Sequence, residues 1–218
     1  MRLILVDSPD EVRGNFYPLA LSRPLWELRC GFSSLGDKLV ARIGAGNVAY
    51  FVPDYMAAAY RAKVECPVND SSVLKGDDLF IVDPRIKADS FNVSANGPSE
   101  VSLDEQGNVL YARIAKADLA KLATDEIGQF IVSAKAKLPN VTTELPTWKY
   151  IWDLVLANAE QITADFAAAG RSGVEGTIEE PIAIRGNKND VYIAPGVKVH
   201  PMVVIDAEHG PVYIDEGV

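Results

Sequence analysis

The sequence predicts an α/β protein whose first 170 residues build a mixed, largely parallel sheet and whose tail begins a left-handed parallel β-helix. Three observations carry this. Bare apolar runs at residues 3–6 and 79–82 (LILV, LFIV) read as strands buried on both faces. Segments of helical periodicity alternate with such runs, the pattern of a doubly wound sheet. After Gly170 the helical period gives way to an apolar residue at every sixth position, Ile193, Val199 and Ile205.

Taken in order, residues 3–6 form the first strand, and a long polar loop follows. Leu25, Leu28, Phe32, Leu35, Leu39, Val40 and Ile43 then recur at helical spacing. Pro24 suits a first turn, and Gly44 and Gly46 stop the helix. Residues 48–52 (VAYFV) read as the second strand and 54–62 as a short helix, with further strands at 72–74 and 79–82. Residues 101–103 and 109–114 flank DEQGN, a hairpin signal because Gly107 can take the positive φ of the turn. Residues 116–138 read as two short helices, the second capped by Thr124. Residues 148–169 read as one long helix with an apolar stripe including Trp148, Ile151, Trp152, Val155 and Phe166. Trp148 and Trp152 are expected to seal it against the sheet.

The tail expectation is a linker over 171–189 and truncated β-helix coils over 190–218. The phrase Ile193-Ala-Pro-Gly-Val, echoed by Ile214-Asp-Glu-Gly-Val218, supports a hexapeptide repeat. These repeats make under two coils, so the chain reads as a fragment of a longer protein; a stub docking on the first domain is the alternative.

Composition narrows the function. Twenty-one Lys and Arg against thirty Asp and Glu give a net charge of −9. That argues against a general nucleic-acid or anionic-membrane surface. An anionic ligand needs a local basic pocket. Two cysteines, Cys30 and Cys66, make neither a disulfide framework nor a zinc site alone, and no signal peptide or membrane-length apolar run is visible. The expected location is the cytoplasm. Residues 3–31, a buried strand emptying into a Gly- and Pro-marked loop with Arg13, Arg23 and Arg29, stand where α/β proteins usually bind phosphate.

Several runs carry a family resemblance: Arg13-Gly-Asn15 with Pro18, Ser22-Arg-Pro24, Leu28-Arg-Cys-Gly31, Trp152-Asp-Leu154 with Asn158, Gly170-Arg-Ser172, and Glu208-His-Gly-Pro-Val-Tyr-Ile214. They resemble the bifunctional N-acetylglucosamine-1-phosphate uridylyltransferases/glucosamine-1-phosphate N-acetyltransferases, in a divergent bacterial branch of sugar nucleotidyltransferases. The resemblance implies a nucleotide-diphospho-sugar transferase-like (Rossmann-like) domain, UTP and a sugar 1-phosphate as substrates, Mg2+, and a homotrimer formed through the β-helix of the full-length protein. The signature glycines before the arginine are absent and Leu19 stands where a lysine is usual, leaving Arg23 or Arg29 to supply positive charge.

On that resemblance Arg13 and Arg23 are the catalytic candidates, as donor forks for a triphosphate. Asp7, Gly14, Asn15 and Arg29 are substrate-binding candidates, and Asp83, at the end of an apolar strand, is the magnesium candidate. Each has an alternative. Arg13 can pair with Glu11 or Asp10, Arg23 can pair with Glu27, Arg29 can be structural, and Asp before Pro is an ordinary turn residue. Asp153 is expected to face solvent, and His200 and His209 to occupy structural turns.

Overall fold

Leu3, Ile4 and Leu5 have no solvent exposure, and the sheet is built outward from them. The computed structural model describes every residue, Met1–Val218. β1 (Arg2–Val6) lies between β2 (Val48–Phe51) and β3 (Leu79–Val82), both parallel to it. The full order is β2-β1-β3-β5-β4-β6. β5 (Val109–Ile114) runs antiparallel to both β3 and β4 (Glu100–Leu103), and β6 (Asn140–Thr142) is parallel to β4. Only β5 is reversed. This mixed, parallel-dominated sheet is the Rossmann-like architecture that the alternating pattern predicts.

Side chains alternate along β1, so Leu3 and Leu5 enter one layer and Ile4 the other. A single helical turn, α1 (Asp10–Arg13), follows β1, and the first layer holds Leu39 of α2 (Leu35–Ile43) and Met56, Ala57 and Tyr60 of α3 (Asp54–Arg61). The second holds Phe130 and Ala134 of α4 (Ile127–Lys137), with Val73 and Leu74. α2 and α3 thus cover one face as the chain moves outward from β1 through β2 to Val68, which bridges Tyr50 in parallel, and Val73 and Leu74 return it to β3 across the other face, as right-handed crossovers require. The other face is closed from further along the chain.

Several local expectations are corrected. The helix read from Leu25 onward begins at Leu35. Residues Leu25–Glu27 form a 3-10 turn instead, because Ser34 and Asp37 make a capping box: Asp37 N donates to Ser34 Oγ at 3.1 Å and Ser34 N to Asp37 Oδ2 at 3.2 Å. The strand expected at 72–74 is a 3-10 turn, Ser71–Leu74, whose Ser72 N donates to the Asp70 carboxylate. Thr124 caps nothing; α4 starts after Glu126. Gly107 has φ 81° in the β4–β5 turn and Gly44 has φ 70° at the end of α2, as the turn chemistry requires.

The chain divides into two compact units, Met1–Arg29 with Ser33–Leu154, and Cys30–Phe32 with Val155–Val218. The helix α5 (Ile151–Ala169) straddles the division, whereas the sequence places the boundary at residue 170. Its opening is capped by Asp153, which accepts from Lys149 N and Tyr150 N at 2.8 and 3.0 Å; the expected solvent role of Asp153 is replaced by this. Trp148 is buried ahead of the helix, but Trp152 is 54 % exposed and stacks on Tyr150. The two tryptophans therefore do not act together as a seal.

In the second unit, residues 171–189 are not a linker. They carry β7 (Gly173–Val174), β8 (Thr177–Ile178) and β9 (Ala183–Gly186). These pair in parallel with β10 (Val191–Ile193), β11 (Lys198–Val199) and β12 (Val204–Ala207), and β13 (Val212–Ile214) returns to β10. Thr177 faces Lys198 and Ala183 faces Val204, so these two sheets are revisited after 21 residues; in the third, Gly173 faces Tyr192 after 19 and Val191 faces Val212 after 21. Ile193, Val199 and Ile205, six apart, stand on three different short sheets and enter one core. His200 Nδ1 lies 2.9 Å from Glu179 Oε2 and His209 is exposed, which keeps both on the coil surface.

Gly31 belongs to this second unit. Its N–H donates to Asn158 Oδ1 at 2.8 Å and that of Phe32 to Asp165 Oδ2 at 2.7 Å. Gly31 has φ +80°, and a Cβ there would lie 2.2 Å from Asp165 Oδ2 and 3.1 Å from the Gln161 backbone. Gly31→Ala is therefore expected to destabilise the protein by about 1–3 kcal/mol, read as a lower midpoint in urea unfolding. An unchanged midpoint would refute this role for the glycine.

Candidate functional site

In an open α/β sheet, ligands bind outside the carboxyl ends of the strands where neighbouring strands diverge. Here that point lies between β1 and β3, since the chain leaves β1 for β2 on one side while β3 lies on the other. A cavity of about 1050 Å3 opens along this edge of the sheet. Its walls come from the segments at the ends of β1, β3, β4 and β6. The β1 loop supplies Glu11, Val12 and Asn15, and the segment after β3 supplies Arg85. The β4–β5 turn supplies Asp104, Glu105, Gln106 and Asn108. The stretch around and after β6 adds Asn140, Thr142, Thr143, Glu144, Lys149 and Tyr150. All these residues lie in the first unit.

The β4–β5 turn is held by one carboxylate. Asp104 Oδ1 accepts from Gln106 N and Asn108 N at 2.9 and 2.8 Å, and its Oδ2 accepts from Asn108 Nδ2 at 3.0 Å. This is the local hydrogen bonding that makes Asp a turn residue, and it presents Gln106 and Asn108 to the cavity. The wall is rich in amides and hydroxyls with a few apolar patches, a composition suited to a hydroxylated ligand of moderate size.

Of the residues expected from sequence, Asn15 alone lines the cavity. Gly14 is exposed beside it. Arg23 and Arg29 are exposed and do not line it. Arg13 is 1 % exposed, so it offers no free donor fork. Its Nε lies 3.0 Å from Asp7 Oδ2, a charge contact in which neither atom makes an aligned hydrogen bond. Its Nη1 reaches Asp10 Oδ1 at 3.4 Å, and its Nη2 donates to the Ala20 carbonyl and, at 3.0 Å, to Tyr55 Oη. The alternative pairing with Asp10 is present, but the main partner is Asp7, which the sequence spacing concealed. Asp7 in turn accepts from Ser8 N and Leu25 N at 3.0 and 3.4 Å, tying both ends of the long loop together.

Asp83 is buried at the end of β3. It accepts from Arg85 Nε at 3.1 Å on each oxygen, from Arg85 Nη2 at 2.6 Å and from Arg85 N at 2.8 Å. Burial pushes its carboxyl above the usual range, against the pull of Arg85. Both oxygens are committed to the guanidinium. To ligate magnesium, Asp83 would have to release Arg85 and leave that charge buried and unpaired. No group of three or more His, Cys, Asp or Glu side chains is gathered anywhere to hold a metal. Asp83 therefore does not fit the expected magnesium site. What the sequence reading missed is Arg85. Its signal is the spacing Asp83-Pro-Arg85 directly after an apolar strand, which reads in sequence as a magnesium carboxylate or a turn.

Burial also raises the Asp7 carboxyl to about 6, with Arg13 opposing the shift. An ordinary unfolded Asp titrates near 4. The folded state thus binds this proton more tightly, so the contribution of Asp7 to stability is full below about pH 4 and is lost as the pH rises to about 6. Carboxyl 13C NMR titration is expected to give Asp7 a midpoint near 6, and Asp7→Asn is expected to remove that pH-dependent loss. Arg13→Ala leaves Asp7 buried without its counter-charge and is expected to cost about 3–5 kcal/mol in denaturant unfolding. A midpoint near 4 or a neutral Arg13→Ala would overturn the buried-pair description.

The sequence of residues 3–172 matches the family model described as sugar nucleotidyl transferase. No curated protein matches the chain. The match covers the six-stranded sheet except Arg2, and every residue of the cavity wall. On that extent the chain belongs to the sugar nucleotidyl transferase family, whose reaction moves a nucleotidyl group onto a sugar phosphate.

Proposed function

We propose that this chain transfers a uridylyl group from UTP to a sugar 1-phosphate, with N-acetylglucosamine-1-phosphate as the first substrate to test. The reading is that of a divergent relative of the bifunctional N-acetylglucosamine-1-phosphate uridylyltransferases. The observation that carries it is the cavity at the carboxyl edge of β1 and β3, inside the stretch that matches the family model.

In the proposed reaction an oxygen of the sugar phosphate attacks the α-phosphorus of the triphosphate. A new P–O bond forms, the bond to the β-phosphate oxygen breaks, and pyrophosphate leaves. No covalent intermediate on the protein is needed; alignment and charge compensation do the work. Asn15, Asn108, Thr142 and Thr143 supply donors and acceptors for sugar and base edges, and Tyr150 supplies a ring face. Magnesium enters as the counter-ion of the triphosphate and is part of that substrate. Arg23, exposed just before Pro24, is the catalytic candidate that keeps a free guanidinium, with Gly14, Asn15 and Arg29 as substrate contacts. Asp7 and Arg13 serve by holding the loop that carries them.

For the tail we propose the first turns of a left-handed β-helix, the element through which a longer protein forms a homotrimer. The three short parallel sheets support this reading. A cytoplasmic location belongs to the same reading; no helix is long and apolar enough to cross a membrane. A second reading, a catalytically degenerate nucleotide-binding or oligomerisation module with any acetyltransferase activity elsewhere, is favoured by one observation. The charges of Arg13 and Asp83 are both neutralised inside the protein.

The discriminating measurement is pyrophosphate release with magnesium, UTP and N-acetylglucosamine-1-phosphate. Turnover is expected, and Arg23→Ala is expected to lower kcat/KM by about 10–100-fold, the loss of one charge-assisted contact. Absence of both turnover and a UTP-dependent rise in Tm would sink the transferase reading.

A further inference from the structure

The cavity wall contains a single arginine, and that arginine is held from one side by a buried carboxylate. Arg85 has a side chain only 9 % exposed, paired with an Asp83 side chain that is 6 % exposed. Asp83 takes the Nε edge of the guanidinium and one Nη2 hydrogen. The backbone on either side is also pinned: Arg85 N donates to Asp83, and Arg85 O accepts from Trp148 N at 2.8 Å. The ring of Trp148 is itself covered by the Lys87 ammonium at 4.3 Å. Rotamer, plane and direction of the guanidinium are therefore set before any ligand arrives.

What Asp83 leaves over is the other edge of the fork. Nη1 has no hydrogen-bond partner in the protein and is not among the buried unpartnered atoms, so it reaches solvent, and the solvent that Arg85 meets is the cavity. Nη2 stands 3.8 Å from Asp104 Oδ2, beyond hydrogen-bond range. A nearly buried guanidinium with an open donor edge is matched by an oxygen anion that accepts two parallel N–H bonds. The rest of the wall makes this selective. Glu11, Asp104, Glu105 and Glu144 outnumber the cations, and Lys149, the other cation of the wall, is exposed. An anion has one preformed place to sit.

We propose that Arg85 grips a phosphoryl group of the substrates through its free edge, and that Asp83 is the positioning residue that aims it. This rests on the nucleotidyl-transfer reading and specifies where that site binds phosphate. It also explains why a carboxylate at the end of β3 is tied to an arginine two residues on: Asp83 orients Arg85, and it is Arg85 that meets the ligand.

The test compares the whole protein with Arg85→Gln, Arg85→Lys, Asp83→Asn and the double variant Asp83→Asn/Arg85→Gln. The double variant removes the pair without leaving a buried lone charge, which guards against simple unfolding. Binding of pyrophosphate, with magnesium present, is measured by calorimetry, and KM is measured separately for UTP and for N-acetylglucosamine-1-phosphate. Arg85→Gln is expected to weaken pyrophosphate at least tenfold while uridine binding is unchanged. Arg85→Lys recovers part of the loss. Whichever substrate shows the larger rise in KM owns the phosphoryl group. Asp83→Asn raises the same KM by a smaller factor, whereas a merely structural role would lower the active fraction and leave KM unmoved. A folded Arg85→Gln or double variant that binds pyrophosphate as the wild type does overturns the proposal. If the wild type binds pyrophosphate through Arg85 yet releases none from the two substrates, the transferase reading falls and the phosphoryl site stands.

Discussion

A carboxylate buried where a strand ends must find a cation, and this requirement shapes the whole carboxyl edge of the sheet. β1 and β3 lie side by side and finish on Asp7 and Asp83. Each is too deeply enclosed to be satisfied by water alone, and each is answered by an arginine from the segment that follows it. Arg13 folds the long loop after β1 back onto the sheet, drawing in Ala20 and Tyr55, while Asp7 accepts from Leu25 N. Arg85 keeps the segment after β3 tight and delivers a guanidinium to the cavity. Neither pair is strong evidence of stability, because desolvation offsets most of the attraction. Removing one partner is what costs.

The two pairs differ in what they leave exposed. Arg13 spends its donors on Asp7, Asp10, a carbonyl and a tyrosine, and is closed off. Arg85 spends one edge and keeps the other. That difference decides which arginine can serve a ligand, and no property of the residues in isolation distinguishes them. The same logic moves Asp83 from metal ligand to support. A divalent ion would need lone pairs that the guanidinium already occupies.

The second unit follows a simpler rule. An apolar residue every sixth position stands on successive short parallel sheets, and Gly196, between β10 and β11, takes the positive φ of that turn. Between strands, charge pairs such as Arg185 with Asp206 and Glu208 cover the outside of the coil. Such exposed pairs contribute little each; the buried Val191–Ala194 stretch, with Val197, supplies the core.

The strands were the legible part of the sequence. β1, β2, β3 and the β4–β5 hairpin are short, apolar and bounded by turn residues, so local composition identifies them. The six-residue period likewise marked Ile193, Val199 and Ile205 as core positions, although it could not show that the short parallel strands begin at Gly173. Helix starts were less legible, because Ser34 and Asp37 act through a capping box that the apolar stripe from Leu25 outweighed. The site was only partly legible. Its place, at the end of β1, follows from strand and loop order. Its chemistry does not, because whether an arginine is spent on a neighbour or open to a cavity depends on residues brought together across the sheet. Asp7 and Arg13 are six positions apart and Asp83 and Arg85 only two, yet it is burial, a property of the assembled fold, that turned the first pair inward and left Arg85 of the second facing the cavity.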